Sequence, residues 1–89
     1  MIAQGELGDS CQQVQDKVFK KCLDLIADRE ERYGAHWKTE TVNSQNQNID
    51  RKYRSFAYSV KNGKKIIDED LLDIINYCAF RYIRLIEGE

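Results

Sequence analysis

Near the C-terminal end of the chain stand Glu69, Asp73, Asn76, Phe80 and Arg84, spaced i, i+4, i+7, i+11 and i+15. At about 3.6 residues per turn, these five fall in one line along a helix. Two carboxylates, a carboxamide, an aromatic ring and a guanidinium in line form a wall that can hydrogen-bond and charge-pair with a polar ligand. A merely solvated face requires no such set. Asp73 and Asn76 suit the hydrogen bonds of a base or ribose, and Arg84 suits an anion.

Three other constellations carry chemistry. In Asp50-Arg51-Lys52-Tyr53-Arg54-Ser55-Phe56, cations interleave with aromatics. Lys52 and Arg54 suit phosphate, because a cation neutralises it while a ring stacks on the attached base. The plainer reading is an amphipathic helix with Asp50 and Arg54 paired at i, i+4. Tyr33-Gly34-Ala35-His36-Trp37 holds the single His and the single Trp of the chain. Tyr33 and Trp37 are candidate platforms for a nucleobase, with His36 beside them; the plainer reading has Trp37 covering the core and His36 on the surface. The third constellation is carboxylate: Glu30 and Glu31, then Glu69, Asp70 and Asp73. Brought together, these five would hold Mg²⁺ against phosphate oxygens. The dipole at a helix start accounts for Glu69 and Asp70 without a metal. Asp73 lies a full turn further in. There is no Ser-His-Asp spacing, glycine-rich phosphate loop, Cys-His cluster or helix-turn-helix pattern, so nucleophilic catalysis and sequence-specific DNA reading are disfavoured.

The elements that must position these residues are helical. Ser10 with Gln13 reads as a capping box, which predicts a first helix from there to Tyr33, stopped by Gly34. Residues 1–9 read as a flexible tail. Residues 35–47 read as a polar connection, and a second helix is predicted over 48–62, ended by Gly63. Asp68 reads as the cap of a third helix running to Ile86. On that helix Leu71, Leu72, Ile75, Cys78, Ala79, Tyr82 and Ile86 gather opposite the polar stripe. The expected fold is all-α, a three-helix bundle forming one domain over 10–89. A chain of 89 residues has little interior, so assembly into a homo-oligomer is expected.

A net charge of −1 draws the chain globally neither to DNA nor to a membrane surface. No apolar run is long enough to span a bilayer, and the N-terminus lacks the basic and apolar regions of a signal peptide. Cys11, Cys22 and Cys78 have no metal-ligand spacing and read as reduced, buried thiols of a cytoplasmic protein.

Taken in order, Tyr33-Gly34 with Trp37, then Lys52 with Arg54, then Glu69 with Asp73, Asn76 and Tyr77 resemble the nucleotide-modification-associated domain type 1 family. These small helical proteins of phages and bacteria are similar to the MazG-like all-α nucleotide pyrophosphohydrolases. The likeness covers roughly residues 18–84 and implies a helical nucleotide-binding fold, with Tyr77 joining the ligand site. MazG-like enzymes carry Glu-Glu-x-x-Glu on one helix. Here Glu30-Glu31 is followed by Arg32, Tyr33 and Gly34, so the third Glu is missing. The Glu-x-x-Asp of the other helix appears as Asp70-Leu71-Leu72-Asp73. The expectation is therefore a protein that binds a nucleotide or nucleotide-derived molecule between subunits, without a cofactor and without hydrolysing it. In a phage, such a protein would act as a sponge for a host immune signal; that role follows from class and size, not from a residue. The alternatives are a Mg²⁺-dependent pyrophosphohydrolase and a helical interaction protein with no small ligand.

Overall fold

The computed structural model describes residues 4–88, with side chains from Gly8 onward, and every regular element among them is helical. The first helix is one rod in three parts: α1 (Gln4–Val14), a π-helical turn (Gln15–Phe19) and α2 (Lys20–Tyr33). A 3-10 turn (His36–Lys38) leads to α3 (Val42–Lys61), and α4 (Asp68–Ile86) closes the chain. Counting the rod as one, these are the three helices expected. None is long and apolar enough to cross a membrane.

The boundaries differ from expectation where side chains compete for a cap. The first helix is already formed at Gln4, so Ser10 lies inside it and residues 4–9 of the expected tail are helical. Gln13 hydrogen-bonds the Asp9 side chain at 2.8 Å, an i, i+4 link, instead of closing a capping box. α3 begins six residues before Asn48 because Thr41 caps it: the Thr41 hydroxyl accepts from the Ser44 N–H at 3.0 Å. At α4 the cap position belongs to Ile67, and Asp68 is the first helical residue, where its charge meets the positive end of the dipole. Gly34 ends α2 as expected, at φ 79°.

α4 is the central element. Lys52 reaches Asp70 and Asn46 reaches Arg81, so α3 and α4 run antiparallel. Arg29 reaches Asp73 while Cys22 meets Asn76, so α2 is antiparallel to α4 as well. α4 thus touches both neighbours through its polar stripe. Asp70, Asp73 and Asn76 are buried, together with Gln45 of α3, while Cys22 is the one buried apolar residue among those described. The apolar stripe of α4 faces outward: Leu71, Ile75, Cys78, Ala79, Tyr82 and Ile86 are exposed. The cysteines follow this inversion. Cys22 is buried as expected, but Cys11 and Cys78 are exposed because the faces that carry them are not covered by this chain.

Candidate functional site

Two side-chain groups share α4. The first is a buried polar lock. Asp73 is 1% exposed, and each of its carboxylate oxygens has a cation: Oδ1 accepts from the Arg29 guanidinium and Oδ2 from the Lys52 ammonium, 3.0 Å away. Lys52 also reaches Asp70 Oδ1 at 3.3 Å, and the Ser55 hydroxyl donates to Asp70 Oδ2 at 3.0 Å. One turn on, the Asn76 amide donates to the Cys22 carbonyl at 3.3 Å. Glu69 stands at the rim, 3.8 Å from Arg29. Buried charge is tolerable only when paired and hydrogen-bonded, and this set meets that condition.

The protonation equilibria report the same pairing. The hydrogen bond to Asp73 holds the Arg29 guanidinium above its ordinary pKa, against the opposing effect of burial. Burial pulls the Lys52 ammonium down, but the hydrogen bonds and charges of Asp73 and Asp70 outweigh it and leave Lys52 raised. The Cys22 thiol is pushed up by burial and by the nearby Asp73 charge.

The second group lines a cleft of about 240 Å³ where the end of α2, the 3-10 turn and α4 converge. Tyr33, His36, Trp37, Tyr77 and Phe80 supply its rings, and Arg29, Glu30, Glu40 and Asn48 its polar edge. Trp37 is held from several sides. Its ring stacks on Phe80 with centroids 4.7 Å apart and planes within 5°, and its indole N–H donates to Glu30 at 3.3 Å. Gln45 donates to the Trp37 carbonyl at 3.0 Å. One Arg84 nitrogen donates to that same carbonyl at 3.3 Å and to the Glu40 carbonyl at 2.7 Å. Arg84 therefore fixes the turn that carries Trp37. Trp37 also lines a second, open cleft of about 500 Å³ with Lys38, Arg84, Glu87 and Gly88.

Of the residues singled out in the sequence, Tyr33, His36, Trp37, Tyr77 and Glu30 come together in the aromatic cleft. Lys52, Glu69, Asp70, Asp73 and Asn76 come together in the lock, and Arg84 lies in the second cleft. Arg54 does neither: it is exposed and pairs with Asp50 at 2.9 Å, the plainer reading of that segment. Glu31 is exposed and lines neither cleft. Among the described residues no three of His, Cys, Asp or Glu gather as metal ligands. The donor set also fits Mg²⁺ poorly, because Arg29, Lys52 and Ser55 already engage the Asp70 and Asp73 oxygens.

Arg29 is the residue that joins the two groups, and sequence reasoning passed over it within a run of charges. Its signal was positional, as the next step of the Cys22–Ile26 stripe toward Tyr33. Compared with family models, curated proteins and solved structures, the chain matches none, so any reading of the site rests on its geometry.

Proposed function

We propose that this protein is a nucleotide-binding module, active as a homo-oligomer, that sequesters a nucleotide or nucleotide-derived molecule without hydrolysing it. The observation that carries the reading is the position of Trp37, the wall common to an aromatic cleft and a cleft bearing Lys38 and Arg84. A ligand spanning Trp37 would set its base among Tyr33 and Tyr77 and its anionic group toward Lys38 and Arg84. Asn48, Glu30 and Glu40 would take the hydrogen bonds of base and ribose. The aromatic cleft alone is smaller than the roughly 300–1,000 Å³ of a complete ligand site, which fits a ligand that extends beyond it and a second subunit that helps to enclose it.

What supports sequestration over Mg²⁺-dependent hydrolysis is the neutralisation of Asp70 and Asp73 by Lys52 and Arg29. The test incubates purified protein with a panel of nucleotides, cyclic and ADP-ribose-type molecules included, with and without Mg²⁺. The protein is then washed and denatured, and what it releases is analysed. Intact ligand recovered without Mg²⁺ is the expected result, and Tyr33→Ala should abolish retention without unfolding the chain, because Tyr33 is 65% exposed. Mg²⁺-dependent turnover would establish the hydrolase instead. Neither retention nor turnover would leave a helical interaction protein with no small ligand.

A further inference from the structure

The fold leaves two apolar faces uncovered, and they lie on different helices. On α4 the uncovered stripe follows 3–4 spacing, Leu71, Ile75, Cys78 and Tyr82, the pattern of a helix–helix seam. Tyr82 is 61% exposed. The second face belongs to the N-terminal half of the rod. α1 and the π turn make their main contacts along their own helix, while the body is α3 and α2 against α4. In the π turn the Lys20 N–H bonds the Gln15 carbonyl, five residues back. Such i→i+5 bonding places Phe19 one turn above Val14 instead of swinging it aside. Cys11, Val14 and Phe19 consequently line one shallow groove with Ser10 and Gln15. None of these five lining residues is charged.

The size of the uncovered surface selects the occupant. The chain exposes 7008 Å², whereas a compact monomer of 10.5 kDa exposes about 5,400 Å². Its radius of gyration is 15.4 Å, against about 12 Å for a compact domain of this length. The excess, about 1,600 Å², is around twice the roughly 800 Å² that each partner contributes to a standard interface. Every copy offers both faces, so two copies related by a twofold axis satisfy both at once.

We propose that the occupant is a second copy of this chain: the α1–π arm of each copy lies on the outward stripe of α4 of the other. The arm's groove then meets the Leu71–Tyr82 seam, and Cys11 and Cys78 are covered in the same contact. This goes beyond the expectation of an oligomer by assigning its surfaces, and it does not rest on ligand binding, so it is tested on ligand-free protein.

The experiment combines light scattering with alkylation of the native thiols by iodoacetamide, read by peptide mass. Wild type is expected at twice the 10.5 kDa chain mass or a multiple of that. Ile75→Asp, on an exposed position, should keep the wild-type helical circular dichroism but run as a monomer. Cys11 and Cys78 should both alkylate at least tenfold faster in Ile75→Asp than in wild type, while Cys22 stays slow in both as the internal reference. A wild-type monomer at micromolar concentration would overturn the proposal. So would a wild-type monomer that instead sediments with vesicles of neutral and anionic phospholipid, which would make the face a lipid contact. An oligomer in which Cys78 alone is protected would overturn the arm-on-α4 arrangement in favour of α4 packing on itself. Failure of the nucleotide-retention experiment would leave all these readings unaffected.

Discussion

The guanidinium of Arg29 is hydrogen-bonded to the Asp73 carboxylate and is, at the same time, part of the lining of the aromatic cleft. One residue therefore ties the interior of the helix packing to the place where a ligand would sit. The carboxylate sets where the guanidinium points, and the guanidinium sets one edge of the cleft.

Asp73 is on this account a residue of the fold first. Asp73→Ala removes the shared anion and leaves Arg29 with Glu69 alone and Lys52 with Asp70 alone. Breaking a fully buried charge pair from one side costs about 3–5 kcal/mol. Here that is the upper bound, because the Arg29 side chain is 38% exposed and both cations keep a second carboxylate. It is still a large share of the about 5–15 kcal/mol that holds a domain together. Urea denaturation should show a loss approaching that order, and Lys52→Met in the Asp73→Ala background should add to it, because the buried Asp70 then loses its cation as well. A change within experimental error would mean that the lock contributes little to stability. Loss of ligand in Asp73→Ala then reports on folding, which makes exposed Tyr33 the better probe of recognition.

Alkali should act on the lock through Lys52. Its pKa is raised in the folded protein from an ordinary 10.5, so folding favours the protonated amine. The stability this contributes is fully present below pH 10.5 and is lost as pH rises through the higher folded value. The urea midpoint of wild type should fall across that window, and Lys52→Met, with less stability at neutral pH, should fall less steeply. An identical alkaline slope in the two proteins would assign the effect to other groups.

The helices themselves were legible in the sequence, and the face that α4 turns inward was not. Periodicity located the run ending at Gly34 and the helix from Asp68 to Ile86, because glycine stops and apolar spacing are local properties. The same spacing assigns Leu71, Ile75 and Tyr82 to an interior, which holds only for a chain that covers its own apolar surface. Here the buried side is Asp70, Asp73 and Asn76, made tolerable by partners on two other helices that no local pattern reveals. Tyr33 and Trp37 stand out because aromatic rings are recognisable by type, and Tyr77 comes only with the family resemblance; the structure brings all three to one cleft. Arg29 was missed because, in Asp28-Arg29-Glu30-Glu31-Arg32, a residue that bonds Asp73 forty-four positions away looks like an ordinary surface charge.

Cys22 offers a check on the interior that does not depend on any ligand. The residue is buried with its carbonyl bonded by Asn76, and its thiol is pushed above the ordinary 9.0 by burial and by Asp73, so its reactive thiolate is scarce near neutral pH. Iodoacetamide at pH 8 should leave Cys22 unmodified in folded protein and label it fully in urea. In Asp73→Asn the carboxylate charge is gone but burial, the larger cause, remains, so Cys22 in the folded fraction should still label slowly. Rapid labelling of native wild-type Cys22 would contradict the packing of α2 on α4.

Gly34 tests whether the turn carrying Trp37 matters to the cleft. Its backbone lies at φ 79° and ψ 175°, a region essentially closed to residues with a Cβ. A Cβ built there would meet nothing within 4 Å, so Gly34→Ala introduces no clash with the surroundings, only backbone strain. That strain costs about 1–3 kcal/mol, and the chain can relieve it only by rotating the turn that follows. Such a rotation moves Trp37 off Phe80 and away from Glu30. Gly63 is the control: it too has positive φ, 63°, and open space around it, but it lies at the other end of α3, remote from the cleft lining. Both alanine variants should lower the melting temperature, and only Gly34→Ala should also quench or shift the Trp37 fluorescence and lose retained ligand. Equal effects of the two on Trp37 would mean that the turn is set by its hydrogen bonds to Gln45 and Arg84 and not by the backbone at Gly34.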